Sequence, residues 1–510
     1  MKKLLHSMFT NNWICVVLMV CEIGGIIPFF KMLADHSYAL WIVSYIVGYL
    51  TFIYILNKDE ELSNKLPWIC VVLIIPPFGA LFYGLFHRNN LSRKDRKHLE
   101  LVREKTQHRN EKSEIWMELE HKDKEAAGKA KTILHDDREA AVYTNTDARY
   151  YPLGEQMFAD MMEDLKKAEH FIFLEYFLVS EGIMWNAMLE VLKEKADKGV
   201  EVRMLYDDVC SFAYLPADYD KKMRSFGIEC YRFSKFTPIA STVHNNRDHR
   251  KILSIDGVVG YTGGINLADE YINQKVMYGH WKDGGIRLEG DAVEGLTKLF
   301  LTNWDMNQKT ISAYDKYTHI EQEQKTGKGF YIPYGSGPVP AYNEPVGKHV
   351  YMGLINQAKD YIYITTPYLI IDNELTGALK NAAIRGVKVV IITPHIPDKK
   401  LIFLMTRSNY PSLMKAGVHI YEYESGFVHA KTVVTDDKYG VSGTINFDYR
   451  SLVHHYEDAV LMYDSEVIPD MKKDLEDTIQ RSIEMTSENT KMNLVQQALK
   501  SVVQLVAPLL

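Results

Sequence analysis

Cysteine is scarce in this 510-residue chain, which has only five. Cys15, Cys21, Cys70, Cys210 and Cys230 are odd in number and never spaced C-x-x-C, so neither a disulfide framework nor a zinc cluster is expected. No G-x-x-x-x-G-K-[ST] loop, H-E-x-x-H or G-x-S-x-G occurs, which leaves nucleotide-driven, zinc-dependent and serine-hydrolase chemistry without a motif. A surplus of positive charge is also missing, and the net charge of −7 argues against a general nucleic-acid binder. The expectation is a protein without metal, cofactor or nucleic-acid partner.

Long apolar runs are confined to the first ninety residues. Trp13–Phe30, Tyr38–Leu56 and Leu66–Phe86 each approach the length needed to cross about 30 Å of hydrocarbon as a helix. Residues 1–90 therefore read as a membrane anchor of two or three transmembrane helices, the first weakened by Glu22, Gly24, Gly25 and Pro28. The basic flank Arg88, Arg93, Lys94, Arg96 and Lys97 outweighs Lys2 and Lys3. It predicts a multi-pass protein of the cell membrane with its catalytic part on the cytoplasmic face. The same flank would attract an anionic lipid surface. Residues 91–135 are dense in charge and read as a linker, and the apolar periodicity of Leu494–Leu510 suggests a helix on the membrane interface or on the body.

The pattern His-x-Lys-x4-Asp-x6-Gly-x2-Asn occurs twice, as His249, Lys251, Asp256, Gly263, Asn266 and as His429, Lys431, Asp436, Gly443, Asn446. Sequence around it also repeats. MMEDLKKAEHFIFLEY (161–176) parallels YMGLINQAKDYIYITTPY (351–368), and VLKEKADKGVEVRML (191–205) parallels ALKNAAIRGVKVVII (378–392). Each pair runs from an amphipathic helix into an apolar strand. The fold class is therefore α/β: two repeats, residues 136–335 and 336–510, related by a pseudo-two-fold that brings the paired motifs to one interface.

Residues i and i+2 of a strand share a face, so each His and its Lys emerge side by side. Two imidazoles, two ammonium groups and two amides suit metal-free phosphodiester chemistry. Lys251, Lys431, Asn266 and Asn446 would hold the non-bridging oxygens. One histidine would attack phosphorus while the other serves as acid and then base. Asp256 and Asp436 fall at an odd offset from the lysines, which leaves a direct role and a structural role both open. Asp283 and Glu457 are expected to orient the imidazoles, as the third member of a triad does. His244, His454 and His455 are expected at the surface or in packing.

The doubled His-Lys-Asp motif resembles that of the phospholipase D superfamily. Asn246-Arg247-Asp248-His249-Arg250-Lys251, Glu175-Tyr176-Phe177, Gly335-Ser336-Gly337-Pro338 and Pro367-Tyr368 make it most similar to the bacterial cardiolipin synthase branch. That resemblance implies transfer of a phosphatidyl group between two phosphatidylglycerols through a phosphohistidine, giving cardiolipin and glycerol. It also implies phosphatidylglycerol and cardiolipin as membrane partners, and His249 as nucleophile. Three rival expectations are a membrane-bound phospholipase D hydrolase yielding phosphatidic acid, a tethered nuclease, and a non-enzymatic membrane scaffold.

Overall fold

A computed structural model describes residues 38–58, 62–86, 93–106, 113–234, 246–339, 341–342, 344–493, 496–497 and 500. The chain divides into two compact units, one of residues 1–90, 235–245 and 502–510, the other of residues 91–234 and 246–501.

In the first unit, helices Tyr38–Asn57, Leu62–Ile74 and Pro76–Phe86 pack around Ile55, Ile69, Val72 and Tyr83. Ile42, Tyr49, Leu50, Leu73, Ile74 and Leu81 remain exposed. Among the described residues no helix is long and apolar enough to cross a membrane, so the expected two or three transmembrane helices are not found among them. The stretch Trp13–Phe30 lies outside the described residues. The helix Tyr38–Asn57 places Tyr38, Trp41, Tyr45, Tyr49 and Tyr54 among its apolar residues. The third stretch breaks at Ile75 into helices of 13 and 11 residues, because Pro76 and Pro77 have no N–H to continue the ladder. The two pieces lie so close that a side chain on Gly79 would run into the backbone of Val72.

The second unit carries two large sheets. The strands are β1 (Thr146–Tyr151), β2 (Phe171–Tyr176), β3 (Glu201–Asp207), β4 (Glu229–Phe233), β5 (Lys251–Ile255), β6 (Val259–Gly263), β7 (His280–Lys282), β8 (Gly285–Gly290), β9 (Phe330–Ser336) and β10 (Tyr361–Thr365). They continue as β11 (Leu369–Ile370), β12 (Lys388–Pro394), β13 (His419–Tyr423), β14 (Gly426–Val428), β15 (Thr432–Thr435), β16 (Tyr439–Gly443), β17 (Phe447–Asp448), β18 (Glu457–Tyr463) and β19 (Ser482–Glu484).

One sheet has the order β1-β8-β6-β5-β2-β3-β4, and the other β9-β18-β16-β15-β10-β12-β13-β19. Strand for strand the orders are the same, with β19 added at the second sheet's edge. In each, the parallel strands (β2, β3, β4 and β10, β12, β13) are joined by helical crossovers. The central strands Phe171–Tyr176 and Tyr361–Thr365 are buried along their whole length, which is why they read as largely apolar runs, interrupted by the buried Glu175 in the first. A shared core links Ile252, Ile286 and Leu288 of one sheet to Val390, Val434 and Val460 of the other. Helices Val293–Gln308 and Ile468–Gln480 contribute Leu296, Phe300, Met471 and Leu475 to it.

The expected charged linker is not a spacer. Helices Glu114–Lys122 and Lys124–Asp136 bury Trp116, Leu119, Ala126, Ala127, Ala130 and Ile133 in the core of the second half. Their charges form the solvated face of amphipathic helices, with one apolar stripe turned inward. Of the tail Leu494–Leu510, only residues 496–497 and 500 are described.

Candidate active site

Each motif histidine sits just before an inner strand, β5 or β15, and its backbone is tied to the opposite half. His249 N–H donates to Tyr456 O at 2.8 Å and Tyr456 N–H to Arg247 O at 2.8 Å, while His429 N–H donates to Lys282 O at 2.7 Å. Strand β7 of the first half pairs in parallel with β14 of the second, Val428 opposite Lys282. These seams put each half's carboxylate beside the other half's imidazole. His249 Nδ1 lies 2.8 Å from Glu457 Oε2, and His429 Nδ1 lies 2.6 Å from Asp283 Oδ2. All four side chains are buried.

Glycine at the motif's fourth position has a packing reason. A Cβ on Gly263 would strike the Gly284 carbonyl and one on Gly443 the Asp458 carbonyl, so the neighbouring strand carrying the carboxylate could not approach.

The lysines complete the cluster. Lys251 Nζ donates to His249 O at 2.6 Å, and Lys431 Nζ donates to His429 O and stands 2.9 Å from His429 Nδ1. One ring nitrogen cannot both donate to Asp283 and accept from Lys431; the shorter contact to a carboxylate assigns the Nδ1 proton to the Asp283 bond. Burial lowers Lys251 to about 8 and Lys431 to about 7, even though Glu457 and Asp283 respectively favour the cations. His249 is driven well below the usual imidazole range, by burial first and then by Lys251, His455, Lys431 and His429. His429 falls to about 4 through burial and Lys431, with Asp283 opposing. Burial alone would raise both carboxyls. Glu457 does rise well above its usual range, whereas His429, Lys431 and the Gly284 N–H hold Asp283 below its own. The two imidazoles thus face different partners, an anionic Asp283 and a Glu457 that favours its neutral acid.

The other expected site residues are placed as follows. Asp256 and Asp436 are not brought to the cluster. Each sits at the far end of its strand in the left-handed region (φ 55° and 52°), where the hairpin turns. Asp256 accepts from the N–H groups of Glu169, His170 and Phe171 at 2.7–2.8 Å, and Asp436 from those of Lys359, Asp360 and Tyr361 at 2.8–2.9 Å. Of the two roles left open, the contacts are those of the structural one, pinning the start of β2 and β10. Asn266 is engaged by Leu178 N–H at 3.0 Å and by Tyr271 Oη at 2.8 Å, leaving one amide hydrogen to offer. Asn446 is buried beside Asp448 with its Oδ1 unpaired among the described residues.

Sequence reasoning passed over His455. Its ring lies 5.4 Å from that of His249, and its Nδ1 is 3.7 Å from Glu457 Oε1. Trp281 holds the matching place beside His429, 5.5 Å ring to ring. The signal was the spacing His455-x-Glu457 against Trp281-x-Asp283, visible once the halves are aligned on their carboxylates. Thr444 and Asp458 were also missed. Thr444 Oγ1 donates to Glu457 Oε2 at 2.5 Å, and Asp458 accepts from Lys251 N–H at 3.2 Å and Thr262 Oγ1 at 2.6 Å. His249, His455 and Glu457 bring ligand atoms within 4.8 Å of one another, a spacing a metal ion could use.

Residues 351–479 match the family described as "Cardiolipin synthase, PLD-like domain", and residues 40–88 match "Phospholipase_D-nuclease N-terminal". The chain is 41% identical to an uncharacterized protein of Streptococcus mutans serotype c over 90% of its own length and 99% of the other's. It is 32% identical to a cardiolipin synthase of Geobacillus sp. over 92% and 93% of the two chains. With cardiolipin synthase 2 of Staphylococcus epidermidis the identity is 31% over 90% and 95%. The crystal structure of phosphatidylserine synthase from Haemophilus influenzae superposes with a TM-score of 0.54 at 16% identity, over 71% of this chain and 95% of that one, which is a likeness of fold.

Proposed function

This chain belongs to the cardiolipin synthases of the phospholipase D superfamily, and from that premise we propose how its two half-sites share one phosphatidyl transfer. The observation that carries the reading is the crossed pairing of His249 with Glu457 and of His429 with Asp283, with both lysines alongside.

With Nδ1 of His249 held by Glu457, the lone pair on Nε2 is the one available to attack phosphorus. Burial and the surrounding cations keep that ring neutral and nucleophilic. The bond from phosphorus to the glycerol oxygen of phosphatidylglycerol breaks as the bond to nitrogen forms. His429, lowered to about 4 by burial and Lys431, gains a proton when the negative charge of the phosphodiester joins that of Asp283; it gives this proton to the departing alkoxide and free glycerol leaves. A hydroxyl of a second phosphatidylglycerol then returns a proton to His429 and attacks phosphorus. The P–N bond breaks, and cardiolipin forms with both histidines restored. Lys251 and Lys431 neutralise the non-bridging oxygens throughout, and Asn266 and Asn446 offer amide hydrogens to them.

One phosphodiester replaces another, so the reaction draws on no nucleotide and runs in both directions. The lipids define the setting: a multi-pass protein of the cell membrane, its apolar amino-terminal helices embedded and its catalytic unit on the cytoplasmic face against anionic lipid, with no nucleic-acid partner. The test is incubation of purified protein with labelled phosphatidylglycerol, quenched in alkali to preserve a phosphohistidine. Label is expected on His249 and in cardiolipin. Phosphatidic acid as the main product would instead mean hydrolysis, and unchanged lipids would mean a scaffold.

A further inference from the structure

His429 stands inside an aromatic wall that leads outward to the protein surface. Tyr271 and Trp281 lie 5.5 Å from its ring and Phe427 lies 5.9 Å away. Tyr278 forms the next layer, 6.3 Å from Trp281 and 6.1 Å from Phe427. Beyond it the chain emerges as Lys275-Val276-Met277, with Val276 78% and Met277 43% exposed. The second half meets this loop. Tyr368, 6.5 Å from Phe427, donates to Asp398 Oδ2 at 2.6 Å, and Asp398 leads into Lys399-Lys400-Leu401, all three exposed. The exposed Ile396 closes the gap, its Cδ1 3.3 Å from where a Cβ on Gly279 would stand.

Apolar tips, flanking lysines and a layer of Tyr and Trp behind them are the parts of a surface that settles into a bilayer interface. The tips enter the acyl boundary, the aromatics sit at headgroup level and the lysines meet anionic phosphates. Val276 and Met277 are consecutive exposed apolar residues beside Lys275, and Lys399 and Lys400 lie on the neighbouring loop that carries Ile396. We propose that the loops at residues 274–279 and 396–401 dock the catalytic unit on an anionic lipid bilayer, so that a lipid phosphate meets His429 along the aromatic wall. This rests on the phosphatidyl-transfer reading and adds the surface by which lipid in a bilayer is reached.

The full chain is assayed on vesicles of long-chain phosphatidylglycerol and on dihexanoyl phosphatidylglycerol kept below its micelle concentration. Val276→Asp with Met277→Asp is expected to lose about tenfold or more on vesicles and less than about twofold on the monomeric lipid. Val276→Ser with Met277→Ser removes the apolar tips without adding charge and keeps the test alive if the aspartates disturb the loop. Lys275→Glu, Lys399→Glu and Lys400→Glu together should weaken activity on vesicles and flatten its dependence on salt. Equal losses on both substrates, or none on vesicles, overturn the docking surface. A wild type that transfers no phosphatidyl group on either substrate overturns the functional reading, and the docking surface with it.

Discussion

The two halves of the catalytic unit share their strand order and differ in their chemistry. Around His429 stand Asp283, Gly264 and Trp281, whereas around His249 stand Glu457, Thr444 and His455. The small Gly264 leaves space that the Asp283 carboxylate fills, and its counterpart Thr444 spends a hydroxyl on Glu457. Duplication supplied two similar scaffolds, and a few substitutions beside the imidazoles give His429 an anionic carboxylate partner and His249 a carboxyl that burial pushes towards its neutral acid. The lesson concerns how a symmetric fold runs an asymmetric reaction: the electrostatics around the histidines differ, and the backbone does not.

The sharpest way to break this comparison is to remove each imidazole alone. His249→Ala should abolish the phosphohistidine and lower turnover by at least about 10³-fold. His429→Ala should cost about 10²- to 10⁴-fold, yet still label His249 when the leaving group is nitrophenol, which needs no proton. Rapid-quench labelling distinguishes the two, and labelling of His429 in His249→Ala would reverse the assignment. Next in size come the carboxylates. Asp283→Asn removes an anion that supports an imidazolium and should cost about 10²-fold or more in kcat. Glu457→Gln, replacing a carboxyl that burial already holds towards neutrality, should cost about tenfold. Equal losses would mean that the two partners do the same work.

A pH profile sharpens the comparison further. Phosphate binding needs ammonium groups, present below their pKa and lost above it, so kcat/KM should fall as pH rises through about 7 for Lys431 and about 8 for Lys251. Lys431→Arg keeps its charge and should move that alkaline limb upward, whatever it does to the maximum. The smallest effect on chemistry belongs to the motif aspartates. Asp256→Ala and Asp436→Ala each release three backbone N–H groups and place alanine at positive φ. Each should destabilise by about 1–3 kcal/mol in thermal or urea unfolding, with kcat of the folded fraction nearly unchanged.

Much of this was legible because it is written in linear spacing. The His-x-Lys pairs, the glycines and the repeated helix–strand segments led to paired α/β halves with one shared interface, and the strand orders match that plan. The candidates Asp283 and Glu457 were legible as acids downstream of each motif. Which carboxylate meets which histidine was not, since the crossing is made by the seams at Tyr456 and Lys282, which carry no pattern of their own. For Asp256 and Asp436 the sequence left two roles open, because a motif position is held as firmly by a hairpin as by a reaction. The supposed linker at 91–135 misled because its charge masked one apolar stripe, and the third apolar stretch divides where Pro76 and Pro77 interrupt a helix.

The crossed seams also bear on how the enzyme comes into being. Neither repeat owns a complete histidine–carboxylate unit, so a nascent chain released or stalled after the first half would hold an imidazole with no partner acid and an aspartate with nothing to orient. Competence therefore requires the second sheet to close on the first, and a partly made chain lacks both paired units.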